Sequence, residues 1–385
     1  MKFLHISDLH LGRQLHRFAL QEEQNEILES IRQIAAAEKP DAILIAGDVY
    51  DRSIPPVYAT QALDRFLSSL LPLQTAVCVI SGNHDSAERL GFLSGPLAMS
   101  ALHISPAYKG RTVPVTLTDE AGPVDIWLLP FLRPAAVRPF FPEEEIHTTN
   151  DAVACAIRQM PLDPTRRNVL VAHQFVAGAS MGGSEDVCLW EGTGDVSVGG
   201  SDMVEAKLFS AFDYVALGHL HQAQNVGSER IRYCGTPLKY SFSELRSEKS
   251  VTVCELTGDR ALHVRTIPLP EPRRMQELRG TFAEVTAGAA NYDQDAYTHV
   301  ILTDEHPIPD VMNRLRQHFP NITHLDWDNL RTRRTEALPA SAEPSQHTPL
   351  ALFAEFFERS NGAAMMDEQR QYLDAVIREI WEEEA

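Results

Sequence analysis

Five short groups of residues carry side chains that can bind metal: Asp8-Leu9-His10, Gly47-Asp48, Gly82-Asn83-His84-Asp85, His173 and Gly218-His219-Leu220-His221. Aspartate and neutral imidazole are good ligands for manganese, iron or zinc, and an amide oxygen suits hard cations. Asp8, His10, Asp48, Asn83, His173, His219 and His221 together offer two carboxylates, one amide and four imidazoles. That is too many donors for one ion once water is counted, and it suits two ions bridged by a carboxylate. Two ions about 3.5–4 Å apart can bind a phosphodiester oxygen, activate a water and stabilise in-line displacement. Each group is weak alone. Gly-Asp after a strand is common turn chemistry, and a single histidine often just ends a strand. What carries the reading is their joint occurrence, each directly after a short apolar run.

Those runs span 3–6, 42–46, 77–81, 126–129, 169–172, 215–217 and 251–256. Continuous apolar segments of four to six residues suit strands covered on both faces. Between them, 20–37 and 58–71 have helical spacing, the first stopping before Pro40. The pattern predicts an α/β fold with two packed sheets and helices outside. Loops at the strand ends of such a scaffold can bring distant residues together.

Beyond about residue 268 the pattern changes. Pro268-Leu269-Pro270-Glu271-Pro272 is a stiff joint. A smaller α/β unit is expected up to 331, with a strand at 298–303 and a helix at 310–319. Segment 332–349 is poor in bulky apolar residues and reads as a flexible linker. Two closing helices follow, with Leu352, Phe353, Phe356 and Phe357 on one and Tyr372, Leu373, Val376, Ile377, Ile380 and Trp381 on the other; Ser360-Asn361-Gly362 supplies the turn.

The bulk numbers limit the function. At 385 residues the chain should hold two or three units. No apolar run approaches the roughly 20 residues of a membrane span, and the N-terminus does not read as a secretory signal. Five scattered cysteines without a Cys-x-x-Cys pair argue against a disulfide framework or zinc knuckle, and fit a reducing, cytoplasmic setting. The formal charge of −19 argues against a broad basic DNA-binding face. It does not exclude a phosphodiester substrate, because bound divalent ions reverse the local field.

The five groups resemble the pattern of the calcineurin-like metallophosphoesterases. Longer stretches are similar to the SbcD family, nuclease subunits of bacterial SbcC–SbcD complexes. These stretches are Leu4-His5-Ile6-Ser7-Asp8-Leu9-His10-Leu11-Gly12, Ala46-Gly47-Asp48-Val49-Tyr50-Asp51 and Ala216-Leu217-Gly218-His219-Leu220-His221. Pro130-Phe131-Leu132-Arg133-Pro134 and 233–242 extend the similarity beyond the metal motifs, over roughly residues 1–260.

The resemblance implies a four-layer β-sandwich flanked by helices (1–268), a small α/β cap that contacts DNA (269–331), a linker (332–349) and a C-terminal helix pair (350–385). It puts one ion on Asp8, His10 and His221, the other on Asn83, His173 and His219, and Asp48 between them. Manganese is the implied ion, with magnesium as the alternative. His84 is implied to assist the scissile phosphate and protonate the leaving oxygen, a task that imidazole suits near neutral pH. Some relatives have a histidine where this chain has Asp51, so that residue's substrate-orienting role does not transfer. Asp51 can instead hold a ligand histidine or pair with Arg52, and Asp85 can support the site or form its turn. The implied partners are DNA and an SbcC-type ATPase, docked through 350–385, with a homodimer inside a heterotetramer, in the cytoplasm or on the nucleoid. The competing expectations are a phosphoesterase acting on small molecules or proteins, and a non-catalytic scaffold that tethers DNA ends.

Overall fold

The computed structural model describes residues 1–92, 94–180, 203–329, 350, 353–354, 356–358 and 364–382. They fall into two compact units, Met1–Arg273 and Arg274–Ala385. The expected linker 332–349 and the turn 360–362 lie outside the described residues.

The larger unit is built on two six-stranded sheets. In the first, the strands run in the order Leu262–Pro268, Ser250–Leu256, Lys2–Ile6, Ala42–Ala46, Ala76–Ile80, Leu102–Ile104. In the second they run Gln224–Val226, Ser228–Tyr233, Tyr214–Gly218, Arg167–His173, Gly122–Leu129, Val115–Asp119. Pairing is parallel in the middle of each sheet, between Lys2–Ile6, Ala42–Ala46 and Ala76–Ile80 in one and between Gly122–Leu129, Arg167–His173 and Tyr214–Gly218 in the other. Parallel strands need cover on both faces, which is why they are continuously apolar.

Alternation along each strand then sorts the side chains. Ala42, Leu44 and Ala46 meet Val169, Val171, Tyr214 and Ala216 in the core between the sheets. Leu170, Ala172, Val215 and Leu217 face the other way and pack with Ala152, Val153, Cys155 and Ala156 of the helix Thr149–Arg158. Ile27, Leu28, Ile31 and Ala35 are the buried stripe of the helix Gln21–Glu38. The result is helix, sheet, sheet, helix.

Every strand expected from an apolar run is present, and so are both expected helices, as Gln21–Glu38 and Val57–Leu70. Strands absent from the sequence reading, such as Val115–Asp119 and Leu262–Pro268, are sheet edges with mixed exposure. Cys78, Cys155, Cys234 and Cys254 are buried and free, and Cys188 lies outside the described residues. Among the described residues no helix is long and apolar enough to cross a membrane.

The smaller unit has a parallel sheet of three strands, Met275–Gly280, Tyr297–Leu302 and Ile322–Trp327. Leu278, Val300, Leu302, Leu315 and Phe319 form its core. A long helix, Asp367–Glu382, lies near the chain end.

Candidate metal centre

The site forms because the loops leaving neighbouring strands continue to pair. Beyond Lys2–Ile6 and Ala42–Ala46, the Asp8 N–H donates to Gly47 O, His10 N–H to Asp48 O and Leu11 N–H to Val49 O, each at 3.0 Å. Asp8, His10 and Asp48 hold this course only with φ of 52°, 42° and 47°, and His219 has φ of 106°. Left-handed backbone at non-glycine residues costs of order 1–3 kcal/mol each and persists where surrounding structure enforces it. Four such residues among the predicted ligands mark where this fold stores strain.

Further bonds sew the two sheets together at this end. The His219 N–H lies 3.1 Å from both Asp8 carboxylate oxygens. Nδ1 of His173 donates to the Ala46 carbonyl at 2.8 Å, which turns Nε2 toward the cluster. There it lies 3.0 Å from Asn83 Oδ1 and 3.3 Å from Asp48 Oδ2. Asn83 Oδ1 is also 3.0 Å from His219 Nδ1. Asp48 is held through its other oxygen by the His84 N–H at 2.9 Å. Ligand atoms of Asp8, His10 and His221 converge within 4.8 Å, as do those of Asp8, Asp48 and His173. All seven predicted ligands therefore meet at one end of the sandwich.

The donor set fits a cation on two grounds. His10 is buried, yet neither ring nitrogen has a hydrogen-bond partner. Asp8 and Asp48 are buried too, and among the described residues no Lys or Arg pairs with either. Buried charges are paired or coordinate metal. Burial works to raise Asp48, but His173 and His84 outweigh it and hold its carboxyl well below the usual range. Burial likewise opposes a proton on His173, while Asp48 and Asp8 prevail and lift it to about 9. A metal would take the place of that proton.

His84 sits beside the ligands. Its Nδ1 lies 2.9 Å from the Asp51 carbonyl, to which it donates, and Nε2 is 3.9 Å from Asp48 Oδ2. The ring also packs edge-on against His10, with centroids 4.9 Å apart. Asp51 is 3.8 Å from His10 Nδ1, too far for a hydrogen bond. Its carboxylate meets Arg13 at 3.2 Å and the exposed Arg52 at 3.6 Å. Asp85 accepts from the backbone N–H groups of Val49, Tyr50 and Gly82 at 2.8–3.0 Å, so it locks the Asp48 loop to its own.

A calcineurin-like phosphoesterase family model matches residues 1–223. A second model, described as a Type 5 capsule protein repressor C-terminal domain, matches 271–361. The SbcD subunit of the nuclease SbcCD from Staphylococcus epidermidis is 31% identical over 329 residues, 84% of this chain and 85% of the relative. The chain belongs to the SbcD family of calcineurin-like phosphoesterases. The protein of the same name from Staphylococcus saprophyticus is 32% identical over 329 residues, 84% of each chain. A solved dimetal phosphatase from Danio rerio aligns at TM-score 0.37 and 12% identity over 70% of this chain and 99% of its own, too low to argue from.

In this SbcD-family chain, several supports of the site escaped the sequence reading. Glu244 Oε1 lies 3.1 Å from His221 Nδ1 and fixes that ring's tautomer, leaving Nε2 for the cluster. Behind it, Lys249 Nζ contacts the other Glu244 oxygen, and Thr236 Oγ1 donates to that oxygen at 3.1 Å. Gln24 donates to the His10 carbonyl at 2.7 Å, and the Tyr240 hydroxyl donates to the Leu9 carbonyl. The only signal for this group in the sequence is the similarity over 233–242, which covers Thr236 and Tyr240 but not Gln24, Glu244 or Lys249, and assigns no roles.

Proposed function

We propose that the chain is a DNA nuclease subunit that hydrolyses phosphodiester bonds with two divalent ions, manganese or alternatively magnesium. Asp8, His10 and His221 hold one, Asn83, His173 and His219 the other, and Asp48 serves both. The observation that carries this reading is the convergence of seven donors, among them a buried His10 whose two nitrogens have no hydrogen-bond partner. The relatives' name supplies the nucleic-acid substrate. Such ions, when bound, polarise the phosphoryl group and lower the pKa of water.

The chain's own residues prepare the reaction. His219 N–H orients Asp8, and His84 N–H orients Asp48. Asp51 fixes the His84 ring through its carbonyl, and Nε2 donates a proton to the departing oxygen. Removing the ions with a chelator should abolish cleavage of a DNA hairpin, and manganese should restore it. Restored turnover on a simple phosphodiester but not on DNA would indicate a small-molecule phosphoesterase instead.

The units take distinct tasks in this reading: 1–268 cuts, 269–331 caps and contacts DNA, 332–349 links, and 350–385 docks on an SbcC-type ATPase that gates cleavage. The assembly is a homodimer within a heterotetramer, cytoplasmic and on the nucleoid when bound to DNA. Phe353, Phe356 and Tyr372 are large exposed aromatics in the docking segment, as a helix seeking a groove requires. Deleting 350–385 should abolish co-purification with the ATPase and leave metal content intact. Retained co-purification would reject this docking site.

A further inference from the structure

The smaller unit carries a second group of metal-type donors. On its parallel sheet, Leu278, Val300 and Leu302 point into the core. Alternation sends Glu277 and His299 to the opposite face, together with His324 and Asp326 of the last strand. Register then aligns them, with Glu277 opposite His299 and His299 opposite His324. Three chemistry-bearing side chains thus form one row across the sheet, and Asp326 follows His324 by two residues.

Both imidazoles aim at one carboxylate. His299 Nε2 lies 2.9 Å from Asp326 Oδ2, and His324 Nε2 lies 3.0 Å from Asp326 Oδ1. On its other side, His299 Nδ1 is 3.2 Å from Glu277 Oε2. If Nδ1–H donates to Glu277, the neutral ring turns a lone pair toward Asp326, an acceptor facing an acceptor. One ring proton cannot serve both carboxylates, and a metal ion on Nε2 resolves that conflict. The three donor atoms lie within 4.8 Å of one another. In a tetrahedral zinc site, bonds of about 2.0–2.2 Å put ligand atoms roughly 3.3 Å apart, so the two imidazole–carboxylate separations of 2.9 and 3.0 Å are each within a few tenths of an ångström of that spacing.

We propose that this sheet face binds a divalent transition ion through His299, His324 and Asp326, with Glu277 orienting His299. Two imidazoles and a carboxylate favour zinc, copper or nickel over calcium or magnesium. Three protein donors leave a coordination position open to solvent or a further ligand. The site is carried wholly by the smaller unit and does not depend on the reading of the strand-end cluster.

Zinc is the probe, added to the full-length chain, with bound metal counted by mass spectrometry after gel filtration. His324→Ala and Asp326→Asn should each bind one zinc fewer per chain than the wild type. Glu277→Gln should keep the stoichiometry and weaken affinity at this site about 10–100-fold, as loss of an orienting carboxylate does. In the wild-type chain, which raises no question of folding, the ring nitrogen resonances of His299 and His324 should shift together on zinc addition. Equal zinc content in all variants, or resonances that zinc leaves unmoved, would overturn the site.

Discussion

His84→Ala is expected to slow DNA cleavage by about 10²–10⁴-fold, the usual contribution of a positioned general acid, while two metal ions per chain remain bound. The backbone and the ring of His84 do separate jobs. Its backbone N–H holds Asp48 Oδ1 at 2.9 Å, and alanine keeps that bond. Its ring is oriented by the Asp51 carbonyl, with Nε2 toward the cluster, so alanine removes the proton donor together with the ring's edge-on contact with His10. The loss should fall on kcat rather than KM, and a substrate with a better leaving group should recover much of it. His84 also stands with His10 and Asp48 as a geometrically possible ligand group, which gives the experiment a second arm. If His84→Ala loses one metal, the histidine is a ligand. Near-normal cleavage would reject the acid role altogether.

Why some of this could be read in advance is a matter of periodicity and distance. Strands buried on both faces, such as Ala42–Ala46 and Tyr214–Gly218, are apolar at every position, and the chemistry begins one or two residues beyond them. The edge strand Leu262–Pro268 alternates only from Leu262 to Arg265 before Thr266 breaks the pattern, and so short an alternation does not stand out from a loop. Glu244 was illegible because its role arises from a contact with His221, 23 residues away in the chain. The row Glu277–His299–His324 was illegible because it exists only in one register. A slip of one residue would turn a strand's side chains to the opposite face. The left-handed backbone of His10 and His219 has no signature in residue type either; tertiary hydrogen bonds impose it.

Gly218→Ala should cripple the site through volume alone. Gly218 ends the strand Tyr214–Gly218, just before His219, where the two sheets approach. A methyl group there would lie 2.0 Å from the Ala46 carbonyl oxygen, 2.7 Å from His173 Nδ1 and 2.9 Å from Ser7 Cβ. The first two atoms are the two ends of the hydrogen bond that aims His173 at Asn83 and Asp48. None is the loose end of a flexible side chain, so backbone must move. Overpacking of this kind costs about 1–3 kcal/mol, and metal affinity should fall with it, because the displaced groups are a ligand and its anchor. Gly95→Ala is the control, since its Cβ would meet nothing within 4 Å, and its stability should change by no more than about 0.5 kcal/mol. Denaturant unfolding and metal content, measured on both variants, decide the matter. A Gly218→Ala chain with wild-type stability and full metal content would mean that the sheets can part at this point. The close approach of Ala46 and Gly218 would then not be what aims His173.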